Sequence, residues 1–154
     1  YPRIKKMANG EYIMFYHGGE FGTRVWCTRS KDLKRWTEPV LLYNAEQITI
    51  NGVQDTRRYV NMDAVVLPDG EILAVCSYRA AGHYGEGIGG GLKLIRSKDN
   101  GLTWERQQDI IPPAEIQGCD GYITATADKD NFIWLIAGGK VYRGRINRLG
   151  FARP

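Results

Sequence analysis

No stretch of this sequence reaches the roughly 18–20 apolar residues that a membrane-crossing helix requires, so no membrane span is expected. A strong excess of one charge is also missing. Lys and Arg number 21 against 17 Asp and Glu, and the net +4 is dispersed among acidic neighbours, so nothing points to nucleic acid as a partner. Cysteine is scarce and odd in number. Cys27, Cys76 and Cys119 stand at wide, unrelated spacings without a CxxC pair or a histidine at ligand spacing, so neither a metal nor a cofactor is expected. Cys27 and Cys76 fall inside apolar runs and read as buried free thiols. Capped amphipathic helices of ten or more residues are absent. Disorder is excluded by plentiful Tyr, Trp, Val and Ile, and 154 residues suffice for a core.

What the sequence does contain is strands. Glu11-Tyr-Ile-Met-Phe-Tyr16, Thr23-Arg-Val-Trp-Cys-Thr28, Ala64-Val-Val-Leu67, Glu71-Ile-Leu-Ala-Val-Cys76 and Asn131-Phe-Ile-Trp-Leu-Ile136 are short, apolar or aromatic, and bounded by turn-forming residues. Asn9-Gly10 and Asp69-Gly70 signal hairpins, since both residue types tolerate positive φ. The pattern also repeats. Met7-Ala-Asn-Gly-Glu-Tyr-Ile-Met-Phe-Tyr16 matches Leu67-Pro-Asp-Gly-Glu-Ile-Leu-Ala-Val-Cys76, and Thr28-Arg-Ser-Lys-Asp-Leu-Lys-Arg-Trp36 matches Ile95-Arg-Ser-Lys-Asp-Asn-Gly-Leu-Thr-Trp104. Each unit reads as strand A, tight turn, strand B, loop, strand C, box-shaped turn, strand D. Units cover about 1–45, 60–112 and 120–154, the last expected to end after strand C. Tandem four-stranded antiparallel units predict an all-β chain of β-propeller blades, about two and a half of a five- or six-bladed ring. A β-sandwich is the competing fold. Missing blades, or self-assembly, are expected to complete the ring.

Ser97-Lys-Asp-Asn-Gly-Leu-Thr-Trp104 follows the pattern Ser-x-Asp-x-Gly-x-Thr-Trp. Asp99 is placed to accept backbone N–H bonds, Gly101 to take a left-handed conformation, and Trp104 to bury its ring between adjacent sheets. Too few carboxylates are present for a calcium loop. The string resembles the Asp-box, or BNR repeat, of the sialidase superfamily of β-propellers, with a degenerate copy at Ser30, Asp32 and Trp36. Tyr1-Pro2-Arg3-Ile4 is loosely similar to that superfamily's first-blade Arg-Ile-Pro strand, which supplies a substrate-binding arginine. The resemblance implies a glycan or oligosaccharide substrate and favours a secreted or periplasmic location. The residues themselves leave the compartment open. The superfamily's later arginines and its Tyr–Glu nucleophile pair are not located here, so the resemblance implies a partial active site.

Strand order sorts residues by end. Tight turns and box turns share one end of the blades, and the opposite end collects the long loops rich in ionisable groups. At that opposite end lie Arg3, His17 and Glu20, then Asp55, Arg57 and Arg58 in the connection to unit two. Asp63, Arg79, His83, Tyr84 and Glu86 follow, with Asp120 opening unit three. Loops on a rigid scaffold are where functional groups concentrate. The glycines from Gly85 to Gly91 form no nucleotide fingerprint, because no helix follows them.

Glycoside cleavage needs one protonated carboxyl group and commonly a second carboxylate or a tyrosine. Glu20, Asp63 and Glu86 are the candidates. The resemblance puts the sialidase acid/base in the loop of Glu20, although those enzymes use Asp there. For Asp63 the competing reading is a structural carboxylate paired with Arg79 or Arg58. Arg3, Arg58 and Arg79 suit carboxylate or hydroxyl recognition, His17 and His83 occupy equivalent loops, and Tyr84 could stack on a sugar face. Together these predict a sialidase-like, exo-acting glycoside hydrolase, active when the propeller is complete. The alternative is a non-catalytic propeller that binds glycan or protein.

Overall fold

The computed structural model describes residues 2–19, 24–83, 90–111, 123–137, 139–145, 151–152 and 154. The first antiparallel sheet runs β1 (Arg3–Lys6), β2 (Tyr12–Gly18), β3 (Arg24–Ser30) and β4 (Val40–Tyr43). A five-stranded second sheet holds β5 (Glu46–Ile50), β6 (Val53–Val66), β7 (Ile72–Ala80), β8 (Gly91–Ser97) and β9 (Glu105–Ile111). The third holds β10 (Ile123–Ala127), β11 (Phe132–Ala137), β12 (Lys140–Arg145) and β13 (Phe151–Ala152). Strands neighbour in chain order in all three, as meandering blades require, and the all-β expectation holds.

Burial follows from where each sheet sits. In β2 alternate side chains, Ile13 and Phe15, turn to the core while Tyr12 and Met14 stay partly open, because only one face is covered. The β7 segment Ile72-Leu-Ala-Val-Cys76 is buried throughout. Its even-numbered residues join Phe15, Val25 and Cys27 of the first sheet, and its odd ones join Ile133, Leu135 and Tyr142 of the third. The continuous apolar run is thus a middle-layer strand. Each large side chain fully buried there contributes about 1.5–3 kcal/mol. Cys27 and Cys76 are free and buried, and Cys119 lies outside the described residues.

The repeated turns are built alike. Gly10 N–H donates to the Met7 carbonyl at 3.0 Å, Gly70 N–H to Leu67 at 3.0 Å, and Asn131 N–H to Asp128 at 3.2 Å, all three donors having positive φ. In residues 97–104 the Ser97 hydroxyl accepts from Gly101 N–H at 2.8 Å and Asp99 Oδ1 from Thr103 N–H at 2.9 Å, while the Thr103 hydroxyl donates to Asp99 Oδ2. In the earlier copy Leu33 (φ 64°) takes a left-handed position, and Lys34 and Arg35 N–H groups donate to Asp32 Oδ1 at 2.9 Å each. Trp104 meets Phe15 edge-on across the first two sheets, 5.9 Å between centroids. That is the wedge between sheets expected of it.

Two elements differ from expectation. Residues 46–59, read as a connection, form a hairpin: β5 pairs with the first half of a 14-residue β6 around Asn51 and Gly52, both at positive φ. Asp55, Arg57 and Arg58 therefore stand on a strand, where pairing fixes their directions. The third sheet, expected to stop after three strands, gains the two-residue β13 through Arg143 opposite Ala152.

Candidate functional site

The strand ends opposite the tight turns carry most of the candidates. Arg3 heads β1, half-buried and opposite Phe15. His17, near the end of β2, lines a crevice with Val60, Asn61 and Met62 where β6 bulges. That crevice measures about 10 Å³, room for a single water at most. Arg58 and Arg79 stand directly opposite each other across β6 and β7, both half-buried. His83 ends a single 3-10 turn, Ala81–His83, with Nε2 3.9 Å from Asp55 Oδ2.

Asp55 organises this corner. It accepts from its neighbour Thr56 N–H at 2.7 Å and from Gly82 N–H at 3.0 and 3.1 Å. These backbone donors, helped by His83 and Arg58 nearby, hold its carboxyl below the usual carboxylate range. A β-carbon at position 82 would sit 2.9 Å from Asp55 Oδ2, so a larger residue there would displace the Asp55 carboxylate.

On the face of β6 turned to the first sheet stands an aromatic tier that the sequence reading did not single out. Tyr43 stacks on Tyr59 at 4.5 Å and 15°, and Tyr59 meets Tyr78 at 6.1 Å. The Arg57 guanidinium lies 4.4 Å from the centre of the Tyr78 ring and Lys93 Nζ lies 5.7 Å from it. Glu46 binds Arg57 Nη1 at 3.4 Å and accepts from the Tyr59 hydroxyl at 2.8 Å. Burial, with Glu46 adding to it, pushes the Tyr59 phenol far up, so it stays a neutral donor. The available signal was Asn51-Gly52 between two alternating runs.

Asp63 lies on the inner strand β6, as the sequence placed it. It is 1% exposed, and both oxygens are engaged. Oδ1 meets Lys5 Nζ at 3.1 Å and Ala64 N–H at 2.9 Å; Oδ2 accepts from the Thr124 hydroxyl at 3.2 Å and Ala125 N–H at 2.9 Å. It therefore ties β1, β6 and β10 together, and its ion-pair partner is Lys5 rather than either arginine. Glu20, Tyr84, Glu86 and Asp120 lie outside the described residues. Among the described residues, no cluster of His, Cys, Asp or Glu could hold a metal ion, and no helix is long and apolar enough to cross a membrane.

A concavity of about 590 Å³ sits at the other end, against Arg29, Asp32, Arg35 and Trp36 of the first box-shaped turn. Trp104, at the matching position of the second sheet, packs onto the preceding sheet. Trp36 stands at the matching position of the first turn, and the hollow beside it is the flank of that turn.

A family model described as the DUF6242 beta propeller domain matches residues 61–154. The chain belongs to this family. Over 99% of its length the chain is similar to the crystal structure of an endo-arabinase from Bacteroides thetaiotaomicron VPI-5482, at 15% identity and a TM-score of 0.54. It is similar over the same share to an ulvan lyase of polysaccharide lyase family PL25, at 14% identity and a TM-score of 0.63. At such identities the likeness establishes the fold alone. The chain spans 53% of the first structure and 42% of the second. Comparison with curated proteins finds no match.

Proposed function

We propose that this chain forms part of a propeller that binds and cleaves a glycan at the end carrying Arg3, Arg58, Arg79 and His83. The observation that carries the reading is the direct opposition of Arg58 and Arg79 on one face of β6 and β7, two donor forks suited to a carboxylate, a sulfate or sugar hydroxyls. The two similar folds support it by their names, an arabinase and a polysaccharide lyase. In the finer reading the enzyme is an exo-acting, sialidase-like glycoside hydrolase. Glu20 and Glu86, which follow β2 and β7 in the chain, would act as acid and base, with Tyr84 stacking on the sugar. Asp63 supports the inner strands.

The test is turnover of aryl-glycosides and natural oligosaccharides by the protein with its complete propeller. Loss of turnover in Glu20→Gln or Glu86→Gln, with folding intact, supports hydrolysis. Saturable glycan binding without turnover favours the second reading, a non-catalytic binding propeller. One observation lends that reading weight: of the three candidate carboxylates, the one described here is committed to holding strands together.

A further inference from the structure

The tight turns give the three sheets a common register. Met7 N–H donates to the Glu11 carbonyl at 2.7 Å, Leu67 N–H to Glu71 at 2.8 Å and Asp128 N–H to Phe132 at 2.9 Å. Counted from these turns, Ile13 and Phe15 of β2 match Leu73 and Val75 of β7, and Trp134 and Ile136 of β11. The neighbouring strand repeats as well. Ile13, Leu73 and Trp134 stand opposite Arg29, Arg96 and Arg143, while Phe15, Val75 and Ile136 stand opposite Cys27, Leu94 and Val141. The apolar members of this set are buried in the first sheet by the second, and in the second sheet by the third. In the third sheet the set is open. Ile136 and Val141 are 46% and 38% exposed, and Trp134 is half-buried.

The cover over this set has two parts. Across the first sheet it consists of Ile72, Ala74 and Cys76 on the rear face of β7, together with the box-shaped turn of residues 97–104. Trp104 of that turn lies edge-on to Phe15, and a β-carbon on Gly101 would lie 2.6 Å from Ile13 Cδ1 and 3.6 Å from Arg29 Cδ. The first sheet carries both parts of the same cover. Register puts Ile4, Met14, Tyr16, Trp26 and Leu41 on its rear face, and none of them belongs to a buried cluster. The turn of residues 30–36 adds an exposed Leu33 and, in the place of Trp104, Trp36.

We infer that the open face of the third sheet is a docking surface for the first sheet of a second copy of this chain, and that two copies close a six-sheet ring through two such contacts. In this seat the second copy's Trp36 lies over Ile136 as Trp104 lies over Phe15, and its Leu33 turn lies over Trp134 and Arg143. Each contact is thus of a kind the chain already makes between its own sheets. Number and size agree with a pair. Six sheets fall within the roughly 4–8 of closed propellers, and one chain spans 53% and 42% of the two similar structures. Four strands about 4.8 Å apart and about 17 Å long present about 320 Å² per face. The four faces of a closed pair therefore bury about 1,300 Å², the size of a stable interface. A two-fold axis makes the two contacts identical and leaves no apolar face over. The inference does not depend on the glycan reading.

The test is sedimentation equilibrium of the full chain over a wide range of concentration, which should show single chains in exchange with pairs and nothing larger. Ile136→Glu and Ile4→Glu alter exposed positions on the two docking faces. Each should weaken pairing by about a hundredfold or more, because each places an unpaired carboxylate in both contacts. Mixed together, the two variants should pair through the one contact that neither change touches, with a strength between that of the parent and that of either variant alone. Val53→Glu, on the β5–β6 hairpin away from both faces, should pair as the parent does. Circular dichroism checks that each variant is folded, and Val141→Glu with Leu41→Glu repeats the test at a second pair of exposed positions. A chain that stays single at every concentration overturns the inference and assigns both faces to sheets from another source. Growth beyond pairs overturns the closed ring. Loss of pairing in only one of the two face variants, or a mixture no stronger than its components, overturns the docking of third sheet on first.

Discussion

Lys5 of the first sheet reaches Asp63 of the second at 3.1 Å, and the same carboxylate accepts two hydrogen bonds from the third. One buried side chain therefore joins three sheets whose strands are far apart in sequence.

Removing it should loosen all three at once. Asp63→Ala leaves Ala125 N–H and the Thr124 hydroxyl without their acceptor, and should cost about 2–4 kcal/mol. Asp63→Asn keeps one acceptor oxygen and should fall between variant and parent. Lys5→Met should cost less than Asp63→Ala, because Lys5 is one-third exposed and water replaces part of its role. Urea unfolding midpoints measure all three. A midpoint unchanged in Asp63→Ala would show that the tie does not hold the sheets.

Gly101 and Gly10 separate backbone strain from crowding. Both have positive φ, 79° and 86°, but a β-carbon at 101 would lie 2.6 Å from Ile13 Cδ1, whereas nothing lies within 4 Å of one at 10. Gly10→Ala should cost about 1–2 kcal/mol for the left-handed conformation alone. Gly101→Ala should cost that and about 1–3 kcal/mol more for the displaced core. Thermal unfolding of the two variants side by side reads the difference, and equal losses would contradict it.

These local devices were legible because their causes are local. The left-handed glycines, the serine and aspartate of the box-shaped turn, and the alternation of β2 all act within a few residues. Trp104 could be assigned to a sheet boundary because a large ring beside a surface turn has few other places to go. The role of Asp63 could not be read this way, since its partners lie 61 and 62 residues onward and on another sheet. The β5–β6 hairpin was obscured by its own polarity. Its strip of Gln, Thr and Arg resembles a solvated loop until register shows that those residues share one face. A two-residue strand such as β13 carries no periodicity at all.

Chemical labelling should report the closure of the first two sheets. Burial pushes the Cys27 thiol up to about 11, against the opposing effects of the Trp104 indole N–H and Arg29, and pushes Cys76 up as well. Since the thiolate is the nucleophile, neither should react with iodoacetamide at pH 8 in the folded chain, and both should react in denaturant. Peptide mass spectrometry distinguishes them from Cys119. Rapid native labelling of Cys27 would mean that the Phe15–Trp104 contact opens readily. Trp104→Ala should speed that labelling, because it removes both the cover and the edge-on ring.

Acid should undo the box-shaped turn of residues 97–104 before it reaches the apolar core. Burial works against ionisation of Asp99, but the Thr103 hydroxyl and amide and the Ser97 hydroxyl outweigh it and hold the carboxyl below its ordinary value. Asp128 is held low too, first by the indole N–H of Trp134, which donates at 2.7 Å. A carboxyl lowered by folding binds its proton more readily in the unfolded chain. Its stabilising contribution is therefore present above the unfolded value of about 3.9 and lost as pH falls through the lower folded one. Unfolding free energy should accordingly decline below about pH 4. In Asp99→Asn the neutral amide has no proton to take up, so stability should start lower at pH 7 and fall less steeply between about pH 4 and 2. Parallel acid limbs in parent and variant would mean that Asp99 ionisation does not contribute to holding the turn.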